Sequence, residues 1–286
     1  DDALLILGQQ AQQVADALQL PLIPLLPEAR LPGEDPIGRQ VAARLVENLL
    51  GQEAGNGRPC CVVLPGDAGP GASEYEYFTR ILKLQGWVPT TIPQALAVVL
   101  AELGGDEFTG IGVTLGAGGS AICLAYRGEP IALARIALGG DWIDRHLIQN
   151  IGRTLFDAEG REYLDFVGMA RWKTGQRHSL AAPTTPEERA LRDLYHQLLD
   201  RLLTEFANVA KPDVVRGLDR RRLPIVFHGG ALAVGGFLQV WEDAWREHEI
   251  PLPVGAPRIA RDDNWSVARG CLIHAELSAS HLRRSA

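Results

Sequence analysis

The sequence is short of several features, and each shortage excludes a class of function. Only four cysteines occur in 286 residues, Cys60, Cys61, Cys123 and Cys271, and no two stand as C-x-x-C. That excludes the usual zinc and dithiol redox signatures. Cys60, Cys61 and Cys123 lie in apolar runs and read as small core residues of a reducing compartment. No run of 18 or more apolar residues exists, so no membrane-spanning helix is expected. No signal peptide is visible, and a cytoplasmic location is expected. The chain opens on Asp1-Asp2 without a methionine, as expected of a trimmed or partly ordered fragment. A basic surplus is lacking too. The formal net charge of -7 argues against nucleic acid and anionic membranes as partners. Arg216 and Arg220 to Arg222 read as a local basic patch or as a solvated turn. There is no G-x-S-x-G, and His146, His178 and His196 form no spaced pair with carboxylates, so no hydrolase site of that kind is indicated.

What is present reads as an α/β protein. The composition, 46% hydrophobic and 22% charged, is that of a globular chain with room for two domains or one large one. Ala3 to Leu7 reads as a strand and Gln9 to Leu18 as a helix. Pro21, Pro24, Pro27, Pro32 and Pro36 then exclude regular helix. Helices are expected over Ile37–Leu50, Glu74–Leu84, Pro93–Leu103, Asp141–Phe156, Pro186–Val209, Gly235–His248 and Trp265–Leu277. Strands are expected over Cys60–Leu64, Ile111–Leu115, Ala121–Tyr126, Ile131–Leu138, Leu223–His228 and, as a short edge, Pro251–Val254. Residues 157 to 188 read as mixed and polar, with Pro183 and Pro186 marking a loop. Thr184 or Thr185 is the expected cap of the long helix, with Glu187 and Glu188 in its first turn.

Three glycine-centred segments follow in order. The first is the strand Ile111–Leu115, the turn Gly116-Ala117-Gly118-Gly119-Ser120, a hairpin, and Gly139-Gly140-Asp141-Trp142-Ile143-Asp144. The second is Ile225 to Leu232, with Gly229, Gly230 and Ala231 after the strand. The third is Asp262 to Gly270. Glycines after a strand let backbone amides approach phosphate oxygens, and a helix N-terminus adds partial positive charge. Taken alone, each segment is as well read as a tight turn.

Together they resemble the actin-like ATPases: bacterial actins such as MreB and the nucleotide-binding domain of 70-kDa heat-shock chaperones. The resemblance spans nearly the whole chain. It implies the actin-like (ribonuclease H-like) α/β fold, with two subdomains around a nucleotide cleft. The expected division is 1–140, 141–262, and a helix over 263–286 returning to the first subdomain. It also implies that Gly116, Ala117, Gly118, Gly119, Ser120, Gly139, Gly140, Asp141, Gly229, Gly230 and Ala231 bind ATP or ADP, with Mg2+ if hydrolysis is retained. Self-association or a protein partner is implied as well.

Set against that family, three positions depart. The phosphate loop usually reads D-x-G-G-G-T-x-D, and Thr114 and Ala121 stand where its two aspartates belong. Ile92-Pro93-Gln94 carries no acid where bacterial actins and chaperones place a glutamate. The family's N-terminal D-x-G-T hairpin is not in this chain. Phosphoryl transfer needs a carboxylate-held metal and a positioned water, so weak or absent hydrolysis is expected. An active ATPase whose first phosphate loop is missing here is the first alternative. A sugar or acetate kinase relative is the second, and it needs a cleft aspartate that no segment supplies. Without a β-rich peptide-binding domain after Leu277, a complete chaperone is not expected.

Other candidates have two readings each. Asp141 and Asp144 would cap a helix or approach the phosphates. Arg171 and Lys173 are read as surface charge, against the ribose and base contacts the family would imply. Asp262 and Asp263 are read as caps, His228 as a strand-end histidine, and Trp241 with Trp245 as core unless exposed.

Overall fold

The structure is a computed structural model that describes residues 5–18, 22–27, 30–31, 33, 35–50, 56–152, 154–156, 160, 162–175, 178–215, 218, 222–261 and 265–285. The elements run α1 (Gly8–Leu18), α2 (Pro36–Leu50), β1 (Pro59–Val62), α3 (Ser73–Leu84), β2 (Val88–Thr91) and α4 (Gln94–Glu102). Next come β3 (Gly110–Leu115), β4 (Ser120–Tyr126), β5 (Glu129–Ile136), α5 (Gly140–Ile151), β6 (Thr154–Phe156), β7 (Glu162–Leu164) and α6 (Phe166–Thr174). The chain finishes with α7 (Pro186–Val209), α8 (Pro212–Val215), β8 (Leu223–His228), α9 (Phe237–Glu247), β9 (Val254–Ile259) and α10 (Ser266–Ser285).

The main sheet has the order β5-β4-β3-β8-β9. β3 pairs with β4, and β4 with β5, antiparallel, while β8 lies parallel to both β3 and β9. All six residues of β3 are buried, because helices cover both faces. On one face Ile111, Val113, Ile122 and Phe227 pack against α5, α7 and α9. On the other, Ala121, Cys123 and Val226 pack against α4 and α10. β1 and β2 form a separate parallel pair, and β6 and β7 an antiparallel one.

The helices form where their sequences permit. α7 starts with a capping box, Thr185 and Glu188 each bonding the other's backbone, and Pro186 occupies its first turn. Its stripe Leu191, Leu194–Tyr195, Leu198–Leu199, Leu202–Leu203 and Phe206 is buried, as the 3.6-residue period requires. α4 is apolar all round and lies between the sheet and α10. A Cβ on Gly112 of β3 would stand 2.2 Å from the Ala95 carbonyl, and one on Gly270 of α10 1.9 Å from that of Ala97. Only glycine admits α4 so close on both sides. Trp241 and Trp245 are core residues, buried at 1% and 8% exposure.

Several sequence expectations are corrected. Leu5 to Leu7 are not a strand, and Ala3 and Leu4 lie outside the described residues. The helix expected over Asp141–Phe156 stops at Ile151, because Gly152 is left-handed (φ 71°) and donates to the Ile148 carbonyl. Thr154–Phe156 then turns into a strand. The mixed polar stretch over 157–188, given no elements from the sequence, holds β7 and α6, the latter capped by the Asp165 carboxylate, which accepts from the Gly168 amide at 2.8 Å. The edge strand runs over Val254–Ile259 instead of Pro251–Val254, and its edge position tolerates Pro257. Arg216, Arg220, Arg221, Asp262 and Asp263 lie outside the described residues, and Arg222 is exposed.

Candidate functional site

The turn Gly116–Gly119 closes the β3–β4 hairpin, with the Gly116 amide donating to the Gly119 carbonyl at 2.9 Å. Its tip is open: Ala117 is exposed, and Gly118 and Gly119 are half-buried. The Ser120 hydroxyl is turned inward and donates to the Leu138 carbonyl at 2.8 Å.

The N-terminus of α5 is seated on this turn. The Gly140 amide donates to the Gly116 carbonyl at 2.8 Å, and the Asp141 amide to that of Ala117 at 2.9 Å. Two of the four amides that a helix start leaves unpaired are thereby used by the turn itself. A Cβ on Gly139 would lie 2.4 Å from the Ala117 carbonyl and 2.5 Å from that of Gly116, so the close seat requires glycine. Asp141 lies exposed in the first turn, where its charge complements the helix dipole, while Gly139 is the cap residue.

β8 ends against the same place. Gly229 adopts φ 127°, and a Cβ there would stand 2.2 Å from the Leu115 carbonyl. Gly230 is exposed beyond it. Ala231 is buried, and its carbonyl accepts from the Tyr195 hydroxyl at 2.6 Å. The fold therefore gathers the residues read from the sequence: Gly116 to Ser120 and Gly139 to Asp141 are joined by hydrogen bonds, and Gly229 abuts the residue before the turn.

One residue pair below the turn, the register aligns a row across four strands. Thr114 faces Ala121 on β4 and His228 on β8, and Ala121 faces Arg135 on β5. Cross-strand partners share a face, and this one is the α4 face. Thr114, Ala121 and His228 are buried, and Arg135 is exposed. The two positions where acids were expected are therefore opposite each other, and both are neutral.

Around this core stand groups that the sequence reading missed. Asp67, in a left-handed turn (φ 49°) after Pro65-Gly66, accepts the Gln94 amide at 2.8 Å and so caps α4 from a different element. Burial pushes its carboxyl up, against the pull of the Gln94 amide and Arg135. Arg135 Nη1 donates to the carbonyls of Gly66 and Asp67. The Pro-Gly-Asp tripeptide signals this turn, but nothing local shows that it reaches α4. Lys173 is not surface charge. It is buried, pairs with buried Asp144 at 2.6 Å, and donates to the Gly140 carbonyl at 3.4 Å. Arg171 is exposed, as expected. At the far end of α4, the Glu102 carboxylate, 2% exposed, accepts from Arg258 at 2.8 Å, Arg269 at 2.7 Å and Ser266 at 3.0 Å. Burial opposes its ionisation, but the bonds from Arg258, Ser266 and the Arg261 amide outweigh burial and lower its pKa.

The family follows from the whole chain. Residues 1–275 match the family described as Volactin. The chain belongs to the Volactin family. No match was found among curated proteins. Among solved structures, MreB 5 of Spiroplasma citri bound to AMPPNP superposes with a TM-score of 0.62 at 14% identity, over 87% of this chain and 78% of that one. The MamK double helical filament gives 0.60 at 14%, over 92% and 84%. EutJ from Carboxydothermus hydrogenoformans gives 0.50 at 18%, over 82% and 72%. This Volactin-family chain thus has the actin-like ATPase fold, as its glycine motifs implied.

Two groups that the fold implies fit the residues differently. A phosphate chain suits the turn, whose tip, Ala117 to Gly119, is open and rich in glycine, so that backbone amides can approach phosphate oxygens. A carboxylate-held magnesium does not suit them. Among the described residues no group of three His, Cys, Asp or Glu could hold a metal ion, and the row beneath the turn offers His228, Thr114, Ala121 and Arg135. Magnesium takes oxygen ligands, usually one or two carboxylates, and neither expected aspartate is present.

Proposed function

We propose that this protein binds ATP or ADP at the turn Gly116–Gly119, hydrolyses it weakly or not at all, and acts by nucleotide-linked self-association or through a protein partner. The seating of α5 on the turn, with Gly229 closing the other side, is the observation that carries the binding. The neutral pair Thr114 and Ala121 supports impaired hydrolysis, since phosphoryl transfer depends on metal and water positioning. When bound, the nucleotide would supply a polyphosphate charge and a cleft-spanning ligand. The turn and α5 would orient it, with the residues after β8 beside it. The likeness to MamK and MreB supports self-association. Among the described residues no helix is long and apolar enough to cross a membrane, and a cytoplasmic location belongs to the same reading.

The reading keeps two subdomains around a cleft. Because β3–β5 share one sheet with β8 and β9, a boundary before β3 suits the topology better than one at residue 140.

Sedimentation of the purified protein with ATP, with AMPPNP and without nucleotide tests this. Nucleotide-dependent pelleting, equal for ATP and AMPPNP, is expected. Pelleting that ignores nucleotide, together with no binding by calorimetry, would overturn the reading.

A further inference from the structure

The row beneath the turn reverses the charge that a metal-using phosphate site needs. His228, Thr114, Ala121 and Arg135 are aligned across β8, β3, β4 and β5, and none is acidic. Arg135 is the one charged member that is exposed. Its backbone lies one residue from the turn: the next residue, Ile136, pairs with Ser120, and the Ile136 carbonyl lies 3.0 Å from where a Cβ on Gly119 would stand. Among the described residues its Nη1 donates to two backbone carbonyls, those of Gly66 and Asp67, which hold the guanidinium in place near the Asp67 carboxylate.

Asp141 lies exposed at the start of α5 beside the turn and offers a single carboxylate, and Asp67 reaches the α4 face from another element. Its Oδ1 already accepts the Gln94 amide, and burial disfavours its ionised form. It is therefore a poor stand-in for two lost metal-holding carboxylates.

We propose that the cleft takes nucleoside polyphosphate without a divalent metal, the Arg135 guanidinium supplying the counter-charge beside the turn. The proposal rests on the nucleotide-binding reading above. A guanidinium is always charged and presents a planar fork of donors that matches phosphate oxygens two at a time. It therefore supplies both charge and directed hydrogen bonds where a hydrated magnesium would otherwise bridge phosphate to protein. Arg135 acts on the bound phosphates and is a binding residue, not a catalytic one.

Calorimetric titration of the full chain with ATP, in excess EDTA and in excess Mg2+, tests this. The wild-type affinity is expected to be as high in EDTA as in Mg2+. Arg135→Gln is expected to weaken ATP binding in EDTA by about tenfold or more, the scale of a charged hydrogen-bonding partner. Arg135→Lys is expected to retain more affinity than Arg135→Gln. Thr114→Asp with Ala121→Asp is expected to reverse the preference, making binding depend on Mg2+. A wild-type affinity that falls about tenfold or more on adding EDTA overturns the proposal while leaving nucleotide binding intact. So does an Arg135→Gln protein that melts like wild type and binds metal-free ATP equally well. If that variant melts lower, the wild-type comparison of EDTA with Mg2+ decides alone. Absence of binding in both buffers overturns the nucleotide reading itself, and the proposal with it.

Discussion

Thr114 and Ala121 face each other across the β3–β4 pair, one step below the residues that close the turn. Two neutral side chains thus meet where the resemblance to actin-like ATPases led acids to be expected. Their position ties the turn proposed to bind phosphate to the question of turnover. Loss of metal-positioning groups costs several kcal/mol of transition-state stabilisation, and about 4 kcal/mol is roughly a thousandfold in rate. Multiple-turnover phosphate release is expected to be slower than that of bacterial actins by about that factor. Release at ordinary actin rates contradicts the account.

The buried pair Lys173–Asp144 makes a second expectation. Both side chains are at least nine-tenths buried and 2.6 Å apart. Removing one partner leaves an uncompensated charge, which costs about 3–5 kcal/mol. Lys173→Met is expected to lower stability on that scale in urea unfolding. Lys173→Met with Asp144→Leu is expected to recover most of the loss. A double variant no better than the single one contradicts this.

The helix sandwich makes a third. Gly270 leaves no room for a Cβ against the Ala97 carbonyl, and the opposing atom is backbone, which cannot swing aside. Gly270→Ala is expected to destabilise by about 1–3 kcal/mol through overpacking. Gly230→Ala serves as the control, since nothing lies within 4 Å of its Cβ position. Equal melting temperatures for the two variants would contradict the tight packing of α4.

Acid stability makes a fourth. The Glu188 carboxyl accepts from His178 at 3.0 Å and from the Thr184 amide at 2.6 Å, and these bonds hold it down to about 2, from an ordinary 4.5. A carboxyl lowered on folding stabilises the native state above its unfolded value and loses that contribution as pH falls through the folded one. Stability is therefore expected to fall between about pH 4.5 and 2, and Glu188→Gln to flatten that limb. Urea midpoints at pH 7, 4.5 and 3 check the slope. An unchanged slope in the variant removes Glu188 as its source.

Much of this was legible in the sequence because it is local. A glycine after a strand, the Thr185–Glu188 capping box and the alternation of elements are encoded within a few residues, and they brought out the sheet, α7 and the turn. What was not legible depends on distance in the chain. Asp67 caps a helix that starts 27 residues later, Lys173 finds Asp144 across two helices, and Glu102 gathers arginines from over 150 residues away. None of these partners is marked by spacing. Gly152 is a local signal of the opposite kind, since a left-handed glycine ends a helix whatever the apolar period beyond it.

The central claim is binding without turnover, and recovery of the bound nucleotide tests it most directly. The protein is incubated with ATP, passed rapidly through gel filtration, and the nucleotide that travels with it is identified. The account expects ATP, intact after prolonged incubation and close to one per chain. Recovery of ADP, with phosphate released at each cycle, or of no nucleotide at all, contradicts it.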